Sequence, residues 1–178
     1  KAMDISYAVP NKNQCKQCHN RRGKVEPIGP VLPDMIFESD AAKKAFGEQA
    51  SLPRHALHAS AEWDDSSAKL NDRASAYLAA NCAHCHNREG SASNSGLFYD
   101  EALGRYAQSG FKKRPVAAGR GSGGHDFVVD PGYPEKSIVI TRMKSLDPGV
   151  AMPELGRSTV HAEGIELLEE WIKAMPAQ

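Results

Sequence analysis

The chain has 178 residues, 22 basic and 22 acidic, giving a formal net charge of zero and a pI near 7.2. That length suits one ordinary domain or two small modules, and the charge balance excludes the basic surface that a nucleic-acid binder needs. Its 11 Leu, 7 Ile, 9 Val and 5 Phe are 18% of the chain, a lean supply of core formers, yet without the excess charge that marks disorder.

No apolar run approaches the ~18 residues of a membrane span. The opening KAMDISYAVP has no charged n-region or apolar h-region, so a secretory leader, if the protein has one, is expected to lie outside this chain. The strand-like ISYAVP is compatible with a relay domain cut from a longer oxidoreductase. Next comes CKQCH at 15–19, the first of two C-x-x-C-H motifs; the second is CAHCH at 82–86, and the chain has no other cysteine.

That spacing has a chemical reason. Two cysteines three apart reach the two vinyl groups on one edge of a haem, and the adjacent histidine aims a ring nitrogen at the iron. Cys15, Cys18, Cys82 and Cys85 are therefore expected as thioether anchors of two covalent haems c, with His19 and His86 as proximal ligands. One zinc shared by the two pairs is the first competing reading, but 63 residues separate Cys18 from Cys82 and the paired histidines would go unused. A thioredoxin-like dithiol is the second, and neither motif sits beside a βαβ pattern.

Beyond the first motif a helix is expected over Ser39–Phe46, and residues 51–67 read as linker, with a module boundary near Ser66. This gives a first haem module at 1–66 and a second at 67–178. The second opens with NDRASAYLAANCAHCHN, a helix running into the motif with Leu70, Ala74, Tyr77 and Leu78 at helical spacing. Glycine- and proline-rich loops follow, GRGSGG at 119–124 and DPGYPEKS at 130–137. The literal G-x-G-x-x-G of Gly119, Gly121 and Gly124 lacks a surrounding βαβ unit, so a loop passing close to a haem is the preferred reading over a dinucleotide cradle. Ile138–Ile140 suits strand or helix. Ser158 or Thr159 is expected to cap a last helix whose apolar face is Ile165, Leu168, Trp171, Ile172 and Met175.

The first motif, followed by Ile28-Gly29-Pro30 and Leu32, resembles class I cytochromes c. In that class a Gly-Pro about this far on supplies the carbonyl that holds the proximal imidazole, a role the resemblance gives to Pro30. The second half is similar to a family of bacterial dihaem cytochromes. Its NCAHCHN, SGL, RPVAAGRGSGG, PGxPEKSI, RMxSLDPGxxMPELGR and EEWI runs stand in order across most of residues 77–173. The resemblance implies a mainly α fold of two fused class I cytochrome c-like haem modules with long Gly/Pro-rich loops. It also implies attachment of the haems outside the cytoplasm, in a bacterial periplasm or at the cell surface.

An efficient electron carrier needs a sixth ligand on each iron. For the second haem Met152, 66 residues after His86 and just before the last helix, is expected to ligate, with Met143 either the backup or a core methionine. No methionine lies between Met35 and Met143, so the first haem departs from the class I pattern. His58 is its candidate ligand, ahead of His55, with Met3, Met35, His125 and His161 also available, while His84 is read as surface. Arg114, Arg120, Lys112 and Lys113 are suited to pair with haem propionates or to form a solvated basic loop. The expected function is electron transfer between transient redox-protein partners, with no bond-making chemistry, no small-molecule substrate and no membrane span. A dihaem peroxidase with one open haem site is the enzymatic alternative.

Overall fold

The computed structural model describes residues 4–28, 44, 61–99 and 110–177. The expected helix Ser39–Phe46 and most of the expected linker lie outside them. What is described is mainly helical, as anticipated, with four α-helices, three short 3-10 turns and one two-stranded hairpin.

Helix α1, Lys12–His19, carries the first motif. A capping box starts it: Asn11 Oδ1 accepts from the Asn13 and Gln14 amides at 3.0 and 3.1 Å, and Gln14 Oε1 accepts from the Asn11 amide at 2.9 Å. The chain then turns back in a hairpin, β1 (Asn20–Arg21) against β2 (Lys24–Val25). Its two central residues, Arg22 and Gly23, both have positive φ (50° and 77°), as the tightest right-twisted hairpin requires. Among residues 4–20 and 22–28 none is buried.

The core lies further along. Helix α2, Leu70–Cys82, buries Ala74, Ser75, Ala76, Tyr77 and Leu78 against helix α4, Ala162–Lys173, which buries Ile165, Leu167, Leu168, Trp171 and Ile172. The helices approach closely because Gly164 faces Tyr77; a Cβ there would stand 2.2 Å from the phenol oxygen. Trp171 Nε1 donates to Asn71 Oδ1 at 3.2 Å, tying the C-terminal end of α4 to the start of α2. Trp63, within the expected linker, also packs on this core, and its carbonyl accepts from Arg73 Nε at 2.8 Å.

Ile138–Ile140 resolves as the start of helix α3, Ile138–Lys144, which turns Ile138, Ile140 and Met143 inward. Met143 is thus a core methionine. The DPGYPEKS loop is organised by the buried Ser137, whose hydroxyl accepts from the Asp130 amide at 2.8 Å and donates to the Tyr133 carbonyl at 3.0 Å. In GRGSGG the closest approach is to α3: a Cβ on Gly123 would meet Thr141 Cγ2 at 2.8 Å. One expectation is corrected. The last helix takes neither Ser158 nor Thr159 as its cap; its N-cap is His161, with no side-chain cap bond. The imidazole is drawn instead to Tyr77, stacking on its ring at 5.6 Å with Nδ1 3.0 Å from the hydroxyl.

Candidate functional site

Cys82 is the last residue of α2, and the turn that follows carries the rest of the second motif. The Cys85 and His86 amides both donate to the Cys82 carbonyl, at 3.2 and 2.9 Å, so both thiols and the imidazole issue from one turn of chain. Asn87, buried beneath, donates from Nδ2 to the Ala83 and His84 carbonyls at 2.8 and 3.3 Å and holds that turn shut. Gly90 is required beside it: a Cβ there would lie 2.3 Å from the Cys85 carbonyl oxygen.

The His86 ring has one defined tautomer. Nδ1 is 3.2 Å from Ser95 Oγ, and the single Ser95 hydroxyl hydrogen is committed to the Ala92 carbonyl at 2.6 Å. The hydrogen-bond network therefore makes Nδ1–H the donor and leaves the lone pair on Nε2. Burial, helped by the nearby Arg142 and His84, pushes the His86 pKa down to about 4, so the ring is neutral at any ordinary pH. His19 is also held at Nδ1, which lies 3.0 Å from the Glu26 carbonyl and accepts from the Ile28 amide at 3.3 Å; the two contacts ask for opposite tautomers, so together they fix the position of the ring and not of its proton. The hairpin returns Glu26 to that position, with the Glu26 amide donating to the His19 carbonyl at 2.7 Å.

The two motifs meet. Cys85 Sγ is 3.8 Å from Cys18 Sγ and 3.9 Å from the Gln17 carbonyl, and Arg22 pairs with Glu89 alongside. His84, expected at the surface, is half-buried in this contact, its imidazole grouped with the Cys18 and Cys85 sulfurs. Burial and the facing Cys85 raise the Cys18 thiol, and burial pushes the Cys82 thiol up to about 12. Burial also acts to raise Cys85, but hydrogen bonds from His84 and Ser91 outweigh it and leave that thiol below its ordinary value.

Met152 sits half-buried in the loop joining α3 to α4. Two arginines shape that loop. Arg142 Nε donates to the Val150 carbonyl at 2.8 Å, and the Met152 amide donates to the Arg142 carbonyl at 3.1 Å. Arg157 donates to the Met143, Arg142 and Pro153 carbonyls at 2.9, 3.3 and 3.2 Å, and to the Ser145 carbonyl, so one guanidinium closes the end of α3 onto the Met152 loop. Three of the four expected propionate partners have carboxylates already: Arg114 pairs with Asp126 at 2.8 Å, Arg120 binds both oxygens of Asp147 at 2.8 and 2.9 Å, and Lys112 pairs with Asp130 at 2.6 Å. Pro30, His55 and His58 lie outside the described residues, as do Met3 and Met35.

Sequence reasoning missed α1, although Asn11 followed by Gln14 is a capping-box signature. It also missed Glu26 and Ser95 as imidazole partners, and Arg142 and Arg157 as the frame of the Met152 loop. Comparison with known proteins finds no matching family model, no similar curated protein and no similar solved structure.

The donor set suits a covalently held haem. At each motif two thiols and an imidazole come from one short stretch of chain. Around the first motif Ile5, Tyr7, Val9, Val25 and Ile28 are 49–82% exposed, a concentration of uncovered apolar side chains that a flat hydrophobic macrocycle would cover.

Proposed function

We propose that the chain is a dihaem c-type cytochrome that passes electrons between redox partners by outer-sphere transfer. One observation carries the reading: in both C-x-x-C-H motifs the histidine ring is held through Nδ1, with Ser95 Oγ 3.2 Å from His86 and the Glu26 carbonyl 3.0 Å from His19, so that Nε2 is the nitrogen left for a ligand. An imidazole orienting bond of this kind is what a ligating histidine requires, since it fixes the ring and raises the basicity of the other nitrogen. On this reading Cys15 and Cys18 anchor one haem with His19 as its proximal ligand, and Cys82 and Cys85 anchor the other with His86. When bound, each haem supplies a one-electron iron couple.

The chain's own residues do the rest. Ser95 and Glu26 fix the two proximal rings, burial keeps His86 unprotonated, and Arg142 and Arg157 present Met152 as the sixth ligand of the second site. The first site takes an imidazole, His58 being the candidate. In this proposal the fold is two fused class I cytochrome c-like modules, residues 1–66 and 67–178, and the protein works outside the cytoplasm where thioether attachment takes place. The partner is a redox protein or enzyme docking transiently through a small interface.

The test is the mass of the exported protein together with absorption and EPR spectra of both oxidation states. Two covalent haems, with one His/Met and one bis-His pair, are expected. A mass equal to that of the bare polypeptide overturns the proposal. Tight carbon monoxide binding by the reduced protein points to an open iron and to peroxidase chemistry.

A further inference from the structure

The contact between the motifs forms a group that haem attachment does not need. Cys18, His84 and Cys85 each offer one donor atom, and the three atoms lie within 4.8 Å of one another in half-buried positions. Cys18 comes from α1, while His84 and Cys85 come from the turn after α2, so the group joins stretches of chain 67 residues apart. We propose that the haem-free chain binds one zinc ion here, through two thiolates and one imidazole.

Three arguments point the same way. A tetrahedral zinc with Zn–S bonds of about 2.3 Å separates its two sulfurs by about 3.8 Å, and the Cys18 and Cys85 sulfurs stand 3.8 Å apart. Two sulfurs and an imidazole nitrogen make a donor set that zinc prefers, with water completing the tetrahedron. The position of His84 is the third argument. Its neighbour His86 is occupied with Ser95, whereas the His84 ring turns toward the Cys85 sulfur. Cys82 and Cys15 are not members of this group, so the site differs from a four-thiolate zinc ribbon built on both C-x-x-C pairs.

Binding is an exchange of protons for metal: the ion enters, two S–H bonds break, two Zn–S bonds form and two protons pass to solvent, with no change of oxidation state. If the haem reading holds, zinc and haem compete for the same two sulfurs. The ion would then pin α1 to the end of α2 and delay thioether formation at both motifs until it is removed.

The experiment uses the full-length chain produced without haem attachment and kept reduced, titrated with zinc against a chromophoric chelator. Cobalt(II) serves as the spectroscopic probe. One ion per chain is expected, with the thiolate charge-transfer and d–d bands of a tetrahedral cobalt site. Loss of an outer-shell partner commonly weakens a metal site 10–100-fold, so Cys18→Ser, Cys85→Ser and His84→Ala, which remove ligands outright, should weaken binding by at least about a hundredfold. Cys15→Ser and Cys82→Ser should bind as the native chain does. Circular dichroism of each variant separates ligand loss from unfolding, and the two control variants must keep the cobalt bands. Equal sensitivity to all four cysteines, dependence on His19 or His86, or no binding at all overturns the proposal. Covalent haem on the exported protein is scored separately by mass, so failure of the zinc site and failure of the cytochrome reading are distinguishable.

Discussion

Replacing Arg157 by alanine tests how the Met152 loop is held. The native guanidinium donates to four carbonyls: Arg142, Met143 and Ser145 at the end of α3, and Pro153 in the loop. A hydrogen bond from a charged donor is worth about 1.5–3 kcal/mol net when fully formed. The side chain is only half-buried, so water regains part of what the carbonyls lose, and about 0.8 kcal/mol for each of the four bonds is the reasonable share. Arg157→Ala should therefore cost about 3 kcal/mol, a large fraction of the 5–15 kcal/mol that usually holds a domain folded. Urea unfolding measures it as a lowered midpoint at unchanged slope. Arg157→Lys should recover no more than about 1 kcal/mol, because an ammonium keeps the favourable charge at a helix C-terminus but cannot fork to four acceptors. A loss below about 1 kcal/mol for the alanine variant, or full recovery by lysine, would refute the reasoning that geometry rather than charge closes this loop.

Three further outcomes are expected. Gly90→Ala places a Cβ against the Cys85 carbonyl and should displace the turn that carries Cys85 and His86; on the proposed dihaem reading, mass spectrometry should find one haem lost or substoichiometric and the other retained. If two haems are bound as proposed, Met152→His should lower the potential of one of them in a redox titration and leave the other in place, since a thioether ligand raises the potential relative to imidazole; the native chain's His86 haem should then be the higher of the two. Asp147 is held below its ordinary value first by the Gly149 amide and then by Arg120. A depressed carboxylate contributes stability above its unfolded pKa and loses it as the pH falls through the lowered one, so the carboxyl should titrate below a free aspartate by NMR and Arg120→Ala should move it back upward.

Much of the second half was legible from the residues. Periodicity found α2 and α4 because each places a stripe of Leu, Ile, Trp, Tyr and Ala against the other, and such a stripe is written directly into the chain. What periodicity cannot register is a bond between a side chain and a distant carbonyl. Arg157 falls in a loop with no pattern around it, and only three-dimensional closure puts it against α3. The N-cap of α4 failed for a related reason. Ser158 and Thr159 are good caps in isolation, but Tyr77, 84 residues earlier, draws His161 into the position that begins the helix.

The first motif shows the opposite case, where chemistry was legible and structure was not. C-x-x-C-H announces its chemistry through residue types alone, yet residues 11–25 have too few apolar side chains to display a period. A helix of eight residues with no buried side chain is not stabilised by packing; the capping box and the hairpin carry it. The lean composition is thus unevenly spread. The region from Trp63 to Met175 closes a core of its own, with Tyr77, Tyr99 and Trp171 supplying bulk that the scarce aliphatics do not. Residues 4–28 close none, and leave Ile5, Val9, Val25 and Ile28 exposed. If an apolar cofactor supplies missing core anywhere in this protein, that is where folding depends on it: removing the first motif's thioethers should loosen α1 and its hairpin while α2 and α4 remain packed.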